Sequence, residues 1–414
     1  MREMKDSGVE WIGEIPAEWE LNKIGAIYDE RSEKVSDKDY PPLSVTKQGI
    51  VPQLETAAKT DNGDNRKLIR KNDFVINSRS DRRGSCGISD FDGSCSLINT
   101  VLRPRKNMCN RYYGYVFRSE LFADEFYRWG NGIVDDLWST KWSNMKRIYI
   151  PEPSLREQEE IADYLDDKCG KIDKIIEKQE QIIERMKDYR ASTISEVVTK
   201  GLNPNAQYKD SGEVWIGSIP SHWQMLRLRS HTNMLTPMRD RPEKLDGSIP
   251  WVRIEDYDGK YISSSKEGLG VSDETVKEMN LKIYPIGSIL CTSSCDLGKC
   301  AIVSKEIVSN QRFINIIPDT DTYSDWLYYV MLSNAKRLNH LSTGTIQANL
   351  SRVEFEHLMI QFPPKDEQVE IADYLDKKCR VIDETIENKM ALIEKLTQYK
   401  KSLIYEVVTG KKEV

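Results

Sequence analysis

Apolar positions along this chain fall into two registers. Over residues 156–201 and again over 366–411 they recur at three- and four-residue steps. The first run is Ile161, Leu165, Ile172, Ile175, Ile176, Ile182, Ile183, Met186 and Tyr189. The second is Ile371, Leu375, Ile382, Ile386, Leu392, Ile393, Leu396, Tyr399 and Leu403. No proline or glycine interrupts Lys171–Lys200 or Asp366–Thr409. That spacing predicts two long amphipathic helices with a seam at a, d and e, wide enough to require a partner helix. About 40 helical residues span roughly 60 Å, more than a small domain is wide, so each helix is expected to act as a spacer. Elsewhere the apolar runs are short: Pro42–Val45 and Asp73–Asn77, then Pro250–Arg253 and Ser288–Thr292. Each set is followed by a glycine-containing loop (Gly84, Gly298), an aromatic helix (Arg111–Trp129, Ser324–Leu341) and a last strand leading into a long helix.

The two helical runs are near-copies. Setting position n against n + 210 makes about half the residues identical without a gap, from EQEEIADYLDDKCGKID to EQVEIADYLDKKCRVID. A second block recurs as well: MKDSGVEWIGEIPAEWE at Met4–Glu20 matches YKDSGEVWIGSIPSHWQ at Tyr208–Gln224. The chain is therefore a tandem duplication, each copy made of an opening motif, a variable region and a long helix. The expected architecture is two mixed α/β (α+β) heads, residues 1–155 and 202–365. They are joined and separated by long helices at 156–201 and 366–414, which pair as an antiparallel intramolecular coiled coil with pseudo-two-fold character. The seam is expected at Leu165, Ile172, Ile175, Ile182, Met186 and Tyr189 against Leu375, Ile382, Leu392, Leu396 and Tyr399. Gln179 and Lys389 fall at equivalent a-like positions, where a buried polar group can select the pairing.

Composition narrows the classes. With 414 residues and 39% hydrophobic content, two to three domains with real cores are expected. A run of about 18 apolar residues and a signal-peptide core are both missing, which predicts a cytoplasmic protein with no membrane role. The net charge of −6 argues against indiscriminate coating of nucleic acid. Residues 1–150 carry 24 basic against 23 acidic groups, while 151–201 carry 9 against 13, so the acidity sits largely in the first long helix. Eight cysteines lack framework spacing. Cys291, Cys295 and Cys300 have no histidine or fourth cysteine at zinc-site distance, so no metal site is assigned.

A repeated scaffold carrying two different heads reads as a device for reading two things at a set separation. Duplex DNA suits it, because a helical turn of about 34 Å is commensurate with the rods. A protein–protein adaptor built from duplicated heads, without DNA binding, is the alternative. An enzyme finds less support. There is no G-x-G-x-x-G loop, no Walker motif and no Asn/Asp-Pro-Pro-Tyr run. The four histidines (His222, His231, His340, His357) are dispersed, and Asp319 and Asp321 read as a turn.

The tandem K-D-S-G-x-x-W-I-G-x-I-P-x-x-W and E-Q-x-E-I-A-D-Y-L-D blocks resemble the specificity subunits of type I restriction–modification systems, and the resemblance covers the whole chain. It implies two target-recognition domains, each reading one half of an asymmetric bipartite site in double-stranded DNA, with the helices setting the gap. It also implies two methyltransferase subunits docked on this chain and motor-nuclease subunits joining them. Adenine N6-methylation, S-adenosylmethionine and ATP with magnesium would then belong to the partners, leaving this chain without a catalytic residue or a cofactor. The DNA-contact candidates in the first head are Arg66, Lys67, Arg70, Lys71, Arg79, Arg82 and Arg83, where guanidinium forks can grip phosphate and read guanine. In the second head they are Lys299, Thr343, Thr345, Gln347, Asn349 and Arg352, the two amides matching the adenine edge. A solvated basic loop and an ordinary capped turn are the plain readings of the same stretches.

Overall fold

A computed structural model describes residues 2–53, 63–79, 82–132, 138–237, 240–294, 297–341 and 350–414. The chain separates into two compact units: Met1–Glu180 with Lys389–Val414, and Gln181–Asn388. Both boundaries cut through long helices, so the units do not follow the four-segment division of the sequence. Each combines one head with part of both helices.

In the first unit a four-stranded antiparallel sheet has the order Cys86–Ile88, Phe74–Asn77, Asn99–Pro104, Tyr28–Glu30. A smaller sheet pairs Gly93–Cys95 with Arg66–Ile69 and Lys34–Val35. Tyr149–Glu152 pairs antiparallel with Glu20–Lys23, which closes the head just before the central helix begins. The aromatic helix expected over Arg111–Trp129 is two helices, Asn110–Arg118 and Glu120–Arg128. Ser119 takes an extended conformation and its hydroxyl accepts the Phe122 N–H at 3.3 Å, which ends one helix and caps the next. Their inner faces pack Tyr113, Phe117 and Phe122 against Tyr28 and Phe74, with Phe74 and Phe117 ring centres 4.3 Å apart.

The second unit repeats the scheme. Its five-stranded sheet runs Thr232–Leu235, Phe313–Pro318, Ile289–Thr292, Cys300–Val303, Tyr261–Ile262, antiparallel except for the last pair. Met359–Phe362 closes on Gln224–Arg227. Its expected aromatic helix is also broken in two, into Ser324–Ser333 and Ala335–Leu341.

The central helix runs Leu155–Lys200 and the closing helix Lys365–Val408. Each ends beside a glycine in the left-handed region, Gly201 and Gly410, both at φ +72°. Within the first unit Lys400 pairs with Asp173 at 2.6 Å and Lys389 donates to Gln179 at 2.9 Å. Rising numbers on one helix meet falling numbers on the other, so the pairing is antiparallel. Within the second unit Arg190 pairs with Asp383 at 3.1 Å.

The observed seam is narrower than expected. Leu165, Ile172, Leu375 and Ile382 are buried, and Ile182, Met186 and Leu396 are half-buried. By contrast Ile175, Tyr189, Leu392 and Tyr399 are 44, 55, 41 and 53% exposed. The covered positions alternate three and four apart through Cys169, Ile172, Ile176, Gln179 and Ile183, and likewise through Cys379, Ile382, Ile386, Lys389 and Ile393. A single partner helix covers two positions in seven, and the third line of apolar residues falls on its flank.

Candidate nucleic-acid interface

The repeated blocks have a physical job within each unit: they hold the head on its helix. Gln158 is buried; its Oε1 accepts the Cys109 N–H at 3.0 Å, the N-terminus of a head helix, and its Nε2 donates to Pro153 O at 2.9 Å. Gln368 does the same in the second unit, accepting from Tyr323 N at 2.8 Å and donating to Pro363 O at 3.0 Å. Two turns along, Asp166 accepts the Tyr115 hydroxyl at 2.7 Å and Asp376 accepts that of Tyr329 at 2.6 Å. The latter bond and burial push the Tyr329 phenol far above its ordinary value, burial contributing most. The Trp closing each opening motif is also buried. Trp19 and Trp223 pack over Gly410 and Gly201, where a Cβ would come within 3.1 Å of either ring and, at Gly410, within 2.4 Å of Pro16.

With the frame set, the sheet ends converge with one loop in each head. In the first, Ser78 follows the strand Phe74–Asn77; its N–H donates to Ile98 O at 3.3 Å and its carbonyl accepts from Thr140 N at 2.9 Å. In the second, Ser293 N donates to Arg312 O at 2.8 Å and Ser293 O accepts from Leu350 N at 2.9 Å. The glycines that open the next strand, Gly84 and Gly298, both hold positive φ, +76° and +96°. Arg79 and Arg83 lie beside Trp138, Ser139 and Thr140, with the Arg82 N–H donating to Arg79 O at 3.3 Å. Arg79 bridges to Ser139, and Arg83 pairs with Asp124 and lies 5.5 Å over the Tyr127 ring. In the second head Lys299 and Arg312 are exposed. Arg352 edges an open cleft with Thr236, Ser293, Gln311 and Ser351, and pairs with Glu356 at 2.6 Å.

Residues 16–200 and 220–398 each match the type I restriction modification DNA specificity domain. The chain belongs to that family. Among relatives, it is 32% identical over 183 residues to the type I restriction enzyme MjaIX specificity subunit of Methanocaldococcus jannaschii, covering 43% of this chain and 41% of that one. It is 22% identical to the putative MjaX specificity subunit of the same organism, over 97% of this chain and 95% of that one. A solved chain described in terms of complex assembly and conformational transition of the type I R-M system shares the fold, with a TM-score of 0.76 at 12% identity. That match covers 96% of this chain and 99% of the other.

In this specificity-family chain the sequence-derived candidates divide. Arg79, Arg82 and Arg83 meet at one end of the strand Phe74–Asn77, and Lys299 and Arg352 flank the matching place in the second head. Thr343, Thr345, Gln347 and Asn349 lie outside the described residues. Arg66 is a correction. It is 5% exposed, and its guanidinium donates to Ser94 Oγ at 2.8 Å, tying two strands of the smaller sheet. Lys67 is likewise held inside, on Glu30 at 3.1 Å and Asn99 O at 2.9 Å. Arg70 and Lys71 occupy the turn at the opposite end of the same strand. There Arg70 pairs with Asp92 at 2.9 Å, and the Lys71 N–H with Arg70 holds the Asp92 carboxyl below its usual range.

The sequence reading missed the first head's loop containing Asn131, Trp138, Ser139 and Thr140. Carrying the 210-residue register back from the helices sets Ser139 against Asn349 and Thr140 against Leu350, which marks that loop as the counterpart of the second head's polar run. Two other clusters belong to the fold. His231, Asp319 and Asp321 gather their ligand atoms within 4.8 Å, but as a capped turn: Asp319 takes His231 Nδ1 at 2.8 Å, Thr322 Oγ1 at 2.9 Å and the Asp321 N–H at 3.0 Å. Cys291 and Cys300 face each other across paired strands, both buried, and burial pushes the Cys291 thiol well up, as expected of inert cysteines; Cys295 lies outside the described residues. Among the described residues no helix is long and apolar enough to cross a membrane.

Proposed function

We propose that this chain is the DNA-sequence-specificity subunit of a type I restriction–modification enzyme, each head reading one half of a bipartite duplex site. The observation that carries the reading is the doubled frame. Gln158 and Gln368, and Asp166 and Asp376, hold two heads in the same way, while most side chains at the converging loops differ, as Ser139 and Thr140 do from Asn349 and Leu350. A scaffold kept constant beneath unlike reading surfaces is what two half-sites of unrelated sequence require. Guanidinium and amide groups at those loops supply phosphate grip and base-edge hydrogen bonds.

On this reading the chain binds and positions, without catalysing. Methyltransferase subunits bring S-adenosylmethionine and methylate adenine at N6, and motor-nuclease subunits bring ATP and magnesium. The paired helices set the gap between half-sites. Removing one heptad from each, Ile176–Ile182 together with Ile386–Leu392, shortens both by about 10 Å. At about 3.4 Å per base pair that is roughly three base pairs. Methylome sequencing of cells carrying this double deletion should show both half-sites unchanged and the spacer shortened. An unaltered spacer refutes the ruler, and a chain that shows no sequence preference with its methyltransferase present favours the adaptor.

A further inference from the structure

The first head contains a small cavity of about 20 Å³ bordered by Arg79, Arg83 and Gly84. Its walls are Ile76, Phe117, Phe122, Ala123 and Phe126, with Tyr127 and Trp138 nearer the rim. The rings of Tyr127 and Trp138 stack 5.7 Å apart, and the Trp138 Nε1–H donates to Tyr127 O at 2.9 Å. Several polar groups on the lining are already engaged: Thr140 Oγ1 donates to Phe126 O at 2.6 Å, the Ser78 hydroxyl to Ile98 O, Asn77 Oδ1 accepts from Arg79 N at 3.0 Å, and the Arg83 guanidinium pairs with Asp124. Water needs two to four partners to settle in such a space, so an apolar occupant is favoured. The volume suits one water-sized group and excludes an extruded base.

The second head packs its corresponding glycine more tightly. A Cβ on Gly298 would lie 2.2 Å from Ala335 Cβ, whereas one on Gly84 meets nothing within 4 Å. Around Gly298, buried Leu297 and Leu338 join one core cluster with Tyr328 and Met331, and Asn339 Nδ2 ties Leu297 O at 2.8 Å. The cavity lies where the first head's exposed arginines gather.

We propose that the first head reads a methyl group on the major-groove edge of one base pair by seating it in this cavity, the source being thymine C5 or a methylated adenine N6. The inference rests on the DNA-reading assignment and adds to it. Apolar contact is how a protein distinguishes a methyl-bearing edge in the major groove. The arginines beside the cavity would hold the backbone and neighbouring bases while the aromatic walls take the methyl.

The test uses the full chain with its methyltransferase subunit and the duplex found by methylome sequencing. Deoxyuridine replaces each thymine singly, and N6-methyladenine each adenine singly. The expected result is one position, in the first half-site only, where methyl loss or gain shifts affinity about tenfold. Which arm responds names the source. Filling the cavity with Ala123→Leu, or Ala123→Val should the former fail to fold, should abolish that dependence while second half-site discrimination persists. Sequence-specific binding with no methyl-sensitive position overturns the inference and leaves the DNA assignment standing. Methyl dependence that survives a folded Ala123 variant also overturns it. Loss of all sequence preference overturns both.

Discussion

The two heads share a frame and differ in what they attach to it. Where the first head clamps its helix with Arg111 on Asp163 and Asp166, the second has Asp325 and brings Lys260 from elsewhere in the head to bridge Asp325 and Asp376 at 2.5 and 2.6 Å. Trp11 is buried edge-on to Phe122, 5.7 Å away, whereas its counterpart Trp215 is 58% exposed and lies against His340. The turn that carries His231 and Asp319 in the second head carries an Arg105–Asp29 pair in the first. Asp166 and Asp376 each accept a tyrosine hydroxyl, from Tyr115 and Tyr329, beside a different cation, Arg111 in one head and Lys260 in the other. Duplication thus preserved the glutamine and tyrosine–aspartate contacts between head and helix, while the ion pairs around them diverged.

That comparison can be broken first at the buried tryptophans. Trp19→Ala and Trp223→Ala should each cost about 3–5 kcal/mol, because each ring fills a site over a helix-ending glycine. Phenylalanine should separate them. Trp223 Nε1 donates to Glu367 at 2.9 Å, while Trp19 Nε1 has no partner among the described residues. Trp223→Phe should therefore be worse than Trp19→Phe by about 1 kcal/mol in thermal melts. Equal losses would mean that the two copies do not use the ring differently.

The next test sits at the glutamines. Gln158→Leu and Gln368→Leu each strand a buried N–H and a carbonyl, for about 2–3 kcal/mol apiece. Each should weaken recognition of its own half-site while sparing the other, read by competition binding on half-mutated duplexes. A loss spread evenly over both half-sites would show that the glutamines support the whole chain rather than one head.

The smallest effect belongs to the polar layer, where Lys389 meets Gln179. Replacing both by leucine should raise stability by about 1 kcal/mol and broaden the oligomeric states seen in light scattering, since a polar seam residue selects a pairing at some cost. A lower melting temperature would count against a register-selecting role.

Much of this was legible along the chain. The two rods, their pairing and the doubled opening motif are patterns of local spacing, and a helix records its buried face every three or four residues whatever lies opposite. Even the broken aromatic helix had its sign in Ser119, a capping residue in the middle of an apolar run.

What tertiary structure decided was which side chains that pattern leaves available. Arg66 and Arg83 look alike in a basic run, yet one is sealed against Ser94, nearly thirty residues away, and the other reaches the surface. Ile175 and Ile172 look alike on a helix, yet only one meets the partner. The end of the closing helix completes the first unit, where Tyr112 donates to Val408 O at 3.0 Å across 296 residues. Spacing along a chain sets the periodicity of its elements, but burial depends on pairing between distant segments, and no local window contains it.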